Sequence, residues 1–343
     1  MVRARAKKRV EKSLDPAGKS ACATLVWRGF WPLILICSGF AQTVIRVPVR
    51  LVSAPALVFT ADGQLIPDLK AADFRLYDND RPQKVSVERA LAPISFAVAV
   101  QTSMNVRSYV PFIAKVGSVV EALLVGETGE SALLAYNSDV KVLKPFDKGD
   151  LQQALRGISP GGLRARSIDA GVAAIELLKE RPPERTRVLL FIGQPMDDGS
   201  ESTLASLQEA AEKANVTVFG LALPEIGKAF VSDTFTYEGQ PRAGGGFKAG
   251  VDLSKLISVL GRTGDAAAGT DPFTTLAGAT AGGLFRFRRQ HELEGAIAAA
   301  GVQLHSGYVL TYYPSSDAAG RHAIRVEVNR PGVTVRTRHG YTM

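Results

Sequence analysis

With 343 residues, 46% apolar content and 33 glycines, the chain has an ordinary globular composition and length enough for one large domain or two smaller ones, each with its own core. Its net charge of +8 sits mostly at one end: residues 1–41 hold eight basic side chains against Glu11 and Asp15, a net +6 that leaves +2 for residues 42–343. That distribution argues against a nucleic-acid partner, and with both cysteines, Cys22 and Cys37, inside the same segment, a chain beginning after it has no disulfide, thiolate ligand or cysteine nucleophile.

Residues 1–41 read as an export leader or membrane anchor. A basic stretch precedes the apolar run Phe30-Trp31-Pro32-Leu33-Ile34-Leu35-Ile36-Cys37, and Gly39-Phe40-Ala41 places small residues where a signal peptidase cuts, predicting cleavage after Ala41. The apolar run is roughly 12 residues against the ~20 that a spanning helix requires. Ile36 stands before Cys37 where a lipoprotein signal calls for a small residue, which leaves a lipid anchor as the weaker alternative; the long basic stretch leaves room for an uncleaved anchor. Contact with a membrane is expected only through such a leader or lipid.

From Val44 to Leu91 the pattern is period two, with turns at Ala61-Asp62-Gly63 and Asp78-Asn79-Asp80, which predicts a small β-sandwich or accessory sheet over residues 42–92. Its strands are expected around Val44–Val52, Phe74–Tyr77 and Lys84–Val87, with a short helical turn in residues 67–73. From Ser95 the texture changes to strands alternating with amphipathic helices. That predicts a doubly wound, mostly parallel α/β sheet over residues 93–305. Its strand Ser95–Val100 is followed by a helix over 106–124, and a hairpin across Asn137-Ser138-Asp139 supplies one antiparallel edge strand. A helix from Ser167 places Ile168, Val172, Ile175 and Leu178 on one face, with Ser167 as its N-cap. A strand over 188–192, a helix over 201–215 and a strand over 216–223 follow.

Residues 226–270, with Gly244-Gly245-Gly246 and Gly264-Asp265-Ala266, read as a flexible insertion around one short helix over 252–260. A helix over 274–281, a strand over 284–287 and a helix over 292–304 complete the sheet domain. The tail 306–343 returns to period two at Tyr308–Tyr313, 323–328 and 333–337, and is expected to pack with the N-terminal module.

The sheet segment resembles a von Willebrand factor type A (VWA) domain, and residues 44–341 are similar to the bacterial VWFA-related family abundant in Acidobacteria. The resemblance rests on Asp73-Phe74-Arg75-Leu76-Tyr77-Asp78 with Gln83-Lys84-Val85, on Tyr308-Val309-Leu310-Thr311-Tyr312-Tyr313-Pro314 and on His339-Gly340-Tyr341. It implies a metal-ion-dependent adhesion site: an Asp-x-Ser-x-Ser turn after the first strand, a threonine in a later loop and an aspartate after a further strand, with a partner's carboxylate completing the sphere around Mg²⁺ or Mn²⁺. Carried onto this chain, those positions are Gln101, Ser103 and Asn105, then Ala165 flanked by Arg164 and Arg166, then Gln194. Only Ser103 keeps the family's residue. Neutral amides and added cations in place of carboxylates predict a degenerate site that holds no metal, because hard cations depend on charged oxygen ligands.

The seven positions Gln101, Ser103, Asn105, Ala165, Gln194, Arg164 and Arg166 are therefore candidates for metal-free recognition of a protein surface, at the strand edge where open α/β sheets bind ligands. The alternative is a working adhesion site with unorthodox ligands such as Asp197 or Asp198, although Asp197-Asp198-Gly199-Ser200 also reads as turn and cap chemistry, as does Asp169 in its helix's first turn. A secreted hydrolase with an unrecognised site is a second alternative. No catalytic residue and no cofactor are assigned: His291, His305, His322 and His339 follow no metal-binding spacing, and no nucleophile elbow or phosphate loop is present. The reading is an exported interaction or scaffold module, periplasmic, secreted or at the cell surface, with a protein partner.

Overall fold

The apolar run beginning at residue 94 has no polar face to offer water, so it can only lie inside a sheet covered on both sides. The computed structural model describes residues 51–89, 92–146, 150–224, 271–287, 290–316 and 318–343. The leader, residues 44–50 of the expected first strand and the 226–270 insertion with its helix lie outside the described residues. The strands are β1 (Val52–Thr60), β2 (Phe74–Asp78), β3 (Arg81–Gln83), β4 (Ser86–Arg89), β5 (Ile94–Gln101), β6 (Glu130–Tyr136), β7 (Val140–Lys144), β8 (Thr186–Gly193), β9 (Val216–Ala222), β10 (Leu284–Arg286), β11 (Tyr308–Tyr312), β12 (Arg321–Val328), β13 (Val333–Thr337) and β14 (Gly340–Thr342). The helices are α1 (Val110–Ile113), α2 (Gly117–Val120), α3 (Leu151–Arg156), α4 (Ser167–Lys179), α5 (Leu204–Ala214), α6 (Pro272–Ala279) and α7 (Gln290–Ser306).

Six strands form the central sheet in the order β10-β9-β8-β5-β6-β7. All neighbours are parallel except β6 and β7, whose hairpin makes β7 the antiparallel edge. Every residue of β5 is buried. Alternation along it divides the core: Phe96, Val98 and Val100 pack with α1, α2, α3 and α7, while Ala97 and Ala99 pack with α4, α5 and α6. The order is that of a doubly wound sheet, and its direction of winding reverses between β5 and β8.

Two four-stranded antiparallel sheets flank this α/β layer, in the orders β13-β1-β11-β4 and β14-β12-β2-β3. The N- and C-terminal segments do pair: β1 runs between β11 and β13, and β2 pairs with β12. The inward faces, among them Ala54, Val58, Leu310 and Tyr312 from one sheet and Phe74, Leu76, Ile324 and Tyr341 from the other, close on a shared core, which makes the flanking module a small sandwich. Tyr312, the last residue of β11, is buried, and Tyr313, just past the strand, is exposed.

Three local expectations are corrected. The helix over 106–124 is broken into a 3-10 turn, α1, α2 and a π-turn at Glu121–Val125. Pro111 bars an uninterrupted helix from Val106, since its ring meets the carbonyl four residues back. Gly117 then lets α3 approach so closely that a Cβ there would stand 2.6 Å from Gln152 Cα. Gln152 repairs the break, accepting from Ser118 N (3.0 Å) and donating to Ala114 O (2.6 Å). The strand expected at Lys84–Val87 is β4, which starts two residues later at Ser86 and lies in the other flanking sheet beside β11, and before it an additional strand, β3, turns back on β2 through Asn79 and Asp80, both at positive φ. Ser167 is the first residue of α4 rather than its cap, the N-cap position falling on Arg166. The short α3 and β14 carry no distinctive sequence pattern.

Candidate functional site

The reversal between β5 and β8 leaves a crevice at the strands' C-terminal ends, and the chain fills it with polar residues from both. β5 ends at Gln101 and β8 at Gly193, so the two strand ends deliver Gln101 and Gln194 to one place. Gln101 Oε1 accepts from Gln194 N at 2.6 Å, and Gln101 Nε2 donates to Ser103 Oγ at 2.8 Å. The orientation of this amide is fixed by chemistry, because a backbone N–H demands the oxygen end and leaves the NH₂ end for Ser103. Gln101, Ser103 and Gln194 are all buried.

Tyr136, at the end of β6 opposite Gln101, closes the floor beneath them. Its ring packs edge-on against Phe191, and a Cβ on Gly193 would stand 2.3 Å from its hydroxyl and 2.9 Å from Gln101 Oε1, so only glycine fits there. Among the described residues the buried hydroxyl has no hydrogen-bond partner, nor has Gln194 Oε1. Burial, and then the charge of Asp197, push the phenol far above its usual range, so it stays neutral. Neither Tyr136 nor Gly193 was legible as part of the site: both read as ordinary strand residues.

Above this floor three loops are laced together by their backbones. Met104 N donates to Gly162 O (2.9 Å), Gly161 N to Thr102 O (2.8 Å) and Asp198 N to Ala165 O (2.9 Å). Ser138 Oγ accepts from Leu163 N (3.2 Å) and Arg164 N (3.4 Å), tying in the β6–β7 turn. Ala165 is buried and contributes only its backbone. Asn105 and Arg164 are exposed on the rim, Arg164 lying alongside Gly199.

The nearby carboxylates are committed to the scaffold. Asp197 Oδ1 accepts from Ile168 N (2.9 Å), capping α4 from a neighbouring loop, and also from Ser200 Oγ (2.7 Å) with Ser167 Oγ at 3.0 Å. Asp169 accepts from Glu201 N (3.0 Å), Ser202 N (2.9 Å) and Arg166 Nε (2.8 Å). Burial alone would raise the Asp169 carboxyl, but those backbone donors and Arg166 outweigh it and hold it below the usual carboxylate range. Arg166 also pairs with Glu201 at 2.8 Å. It is therefore a structural clamp between α4 and the loop before α5, so the basic cluster expected at this edge reduces to Arg164.

The structure thus brings together Gln101, Ser103 and Gln194, places Asn105 and Arg164 above them, and assigns Ala165 and Arg166 to the loop framework. Among the described residues, no group of three or more His, Cys, Asp or Glu side chains converges as a metal cluster would. None of their helices is long and apolar enough to cross a membrane.

An open doubly wound sheet with an antiparallel edge strand, helices on both faces and a loop-built crevice at the winding reversal is a fold of the VWA type, as the sequence resemblance implies. No protein-family model and no curated protein sequence matches the chain. Among solved structures it is similar to the vWF domain of the type V pili tip protein Mfa5 from Porphyromonas gingivalis, with 14% identity and a TM-score of 0.26 over 29% of this chain and 37% of that one. It is also similar to the conserved hypothetical protein BatB from Bacteroides thetaiotaomicron, with 14% identity and a TM-score of 0.39 over 62% of this chain and 98% of that one. A von Willebrand factor type A protein from Catenulispora acidiphila gives 9% identity and a TM-score of 0.43 over 87% of this chain and 75% of that one. The chain spans little more than a third of the Mfa5 domain's length, and at these identities nothing about binding passes from one protein to another.

Proposed function

We propose that this chain is an exported protein-recognition or scaffold module of the VWA type that works without a divalent cation at its strand-edge crevice. The observation that carries the reading is the Gln101 amide: it spends its oxygen on Gln194 N and aims its NH₂ group at Ser103 Oγ. A cation at this place would meet a donor where it needs an oxygen.

The donor set does not fit a hard divalent ion. Such ions take about six oxygens with carboxylates among them, and here the oxygens are neutral: Ser103 Oγ, already accepting from Gln101, and Gln194 Oε1. A unit charge 4 Å away at an effective dielectric of about 20 is worth roughly 4 kcal/mol, so each missing carboxylate removes a term of that order. Asp197, the nearest substitute, is held by the first turn of α4 and by Ser200, and would have to abandon both. Export rests on the basic and apolar order of residues 1–41, and the absence of a catalytic role on the lack of any recognised reactive constellation in the sequence.

The test is thermal unfolding of the full chain in millimolar Mg²⁺ or Mn²⁺ and again in EDTA. An ion at a hundredfold excess over its Kd would stabilise by about 2.7 kcal/mol. The expected result is one midpoint in all three conditions. A metal-dependent rise overturns the reading and makes Asp197→Ala and Asp198→Ala the next variants.

A further inference from the structure

The loop between β11 and β12 carries the chain from one flanking sheet to the other, and it is thinly held. Near its start, Gln83 Oε1 accepts from Ser315 N (3.2 Å) and Gln83 Nε2 donates to Ser315 Oγ (2.9 Å). At its end, Gly320 and Met343 exchange two backbone hydrogen bonds of 3.3 and 3.0 Å. Between these ties, among the described residues, the loop has one further hydrogen bond: Ala318 O lies 2.8 Å from His322 Nε2. Ala318, Ala319 and Gly320 are exposed, so that carbonyl has water as its alternative partner, whereas His322 is buried.

The two bonds of this imidazole are unequal. Nδ1 faces Asp78 Oδ1 at 2.8 Å, and the other oxygen of that carboxylate already accepts from the hydroxyls of Tyr312 (3.0 Å) and Tyr341 (2.7 Å). A hydrogen bond to an ionised acceptor is roughly twice as strong as one between neutral groups. Asp78 is buried, so a donor lost there is not replaced by water. Both ring nitrogens donate only in the cation. When the ring gives up one proton, the proton that remains belongs on Nδ1, and Nε2 turns a lone pair towards Ala318 O. Two acceptors at that distance repel, and the exposed one is free to leave.

We propose that His322 is a pH-sensitive latch on this loop: as the imidazolium it pins Ala318, and as the neutral Nδ1–H tautomer it releases the loop there while keeping its bond to Asp78. Burial alone would drive the ring towards its neutral form, but Ala318 O and then Asp78 outweigh it, and the transition is moved upward from 6.5. The latch is therefore closed below pH 6.5 and opens as pH rises through the higher folded value. The other groups of the cluster are Tyr312 and Tyr341, which burial keeps neutral in this range, and Arg338, whose guanidinium lies 5.7 Å from the centre of the Tyr341 ring. On β12 itself, Arg321 is paired with Glu212, and Arg325 with Asp80 and Glu327. No residue of the strand-edge crevice takes part, so the latch stands apart from the metal-free reading. What it controls is the surface of the sandwich beside the exposed Tyr313.

The experiment is NMR of the full chain, labelled with ¹⁵N in its histidines and ¹³C in its alanine methyls, over about pH 5.5 to 9, with the His322 ring assigned through its own backbone. The expected result is a ring that titrates above 6.5 and whose neutral form carries its proton on Nδ1. The Ala318 methyl should lose order through the same midpoint, while the methyls of Ala97 and Ala99, buried in β5, do not. In His322→Gln the Ala318 methyl should no longer respond to pH; if that variant does not fold, the wild-type tautomer and methyl series decide the matter. A neutral ring protonated on Nε2 overturns the latch, because the bond to the loop then survives. An Ala318 methyl equally ordered on both sides of the His322 midpoint overturns it too, as does a ring still cationic at pH 9.

Discussion

At the scale of single residues, the crevice is decided by one amide. Gln101 satisfies a backbone donor from β8 and a side-chain acceptor from its own loop, so it couples the two strand ends across the winding reversal. Gln101→Ala leaves Gln194 N and Ser103 Oγ buried without that partner, and an unsatisfied buried polar group costs about 1–3 kcal/mol. The expected outcome in urea unfolding is a loss of about that size with an unchanged denaturant slope. Gln101→Glu tests the same point from the other side: a carboxylate still accepts from Gln194 N, but its second oxygen faces Ser103 Oγ, which can donate to it. That variant should keep more stability than Gln101→Ala, and equal losses would mean that the amide merely fills space.

At the scale of elements, the sandwich is joined by a polar knot. Asp78 on β2 accepts from Tyr312 on β11 (3.0 Å), from Tyr341 on β14 (2.7 Å) and from His322 Nδ1 on β12 (2.8 Å), while His322 Nε2 lies 2.8 Å from Ala318 O. Oxygen acceptors at both ring nitrogens favour the protonated imidazole, in which both nitrogens donate. Desolvation, the largest single influence, lowers its affinity for the proton, but Ala318 O and then Asp78 outweigh it, and the net shift is upward from 6.5. A raised folded-state value contributes stability that is fully present below pH 6.5 and is lost as pH rises through the higher folded value. The other groups facing the ring are Tyr341, with ring centroids 4.8 Å apart, and Arg338 beyond it, and burial raises both tyrosines far enough that they stay neutral in this range. Stability measured from pH 6 upward should therefore decline in the wild type and decline less in His322→Gln; equal slopes would remove His322 as the source.

The same scale shows what the sequence carried and what it did not. β5 and β8 were legible because a strand covered on both faces is written as an unbroken apolar run, and the β6–β7 hairpin because Asn137-Ser138-Asp139 interrupts two such runs. The broken helix after β5 was not, since Val106, Val110, Ile113, Val120 and Leu124 keep a helical spacing through the interruptions at Pro111 and Gly117 and all end up buried. Gln101, Ser103 and Gln194 were found by their place after strands, but their mutual bonding was not: it depends on which amide atom a distant backbone N–H selects. Arg166 misled for the converse reason, because a charge in sequence does not reveal Asp169 and Glu201 as its partners.

At the scale of the whole molecule, the described residues belong to one compact unit, Val49–Met343, although the α/β layer and the sandwich have separate cores. Among the groups that link them is one buried cation. Arg338, leaving β13, donates to Ser53 O of β1 (3.2 Å), to Gly340 O (3.0 Å) and to Asn215 Oδ1 at the end of α5, and the bridge between its backbone and Thr280 ties it to the end of α6. Arg321 on β12 adds a second tie to the buried Glu212 of α5, at 3.2 Å, and Arg336 a third to Gly282 O, at 2.9 Å. A charge that remains ionised in so enclosed a place is held by its hydrogen bonds, and removing it leaves their acceptors buried and unpaired. Arg338→Ala is expected to destabilise by about 3 kcal/mol or more, since three acceptors at once lose a charged donor. It should also uncouple the layers, so that backbone amides of β1, β2 and β12 exchange with solvent at lower denaturant than those of β5 and β8, whereas in the wild type the two sets open together. Loss of protection in step across both layers of the variant would mean that the shared chain connections, and not Arg338, make the unfolding cooperative.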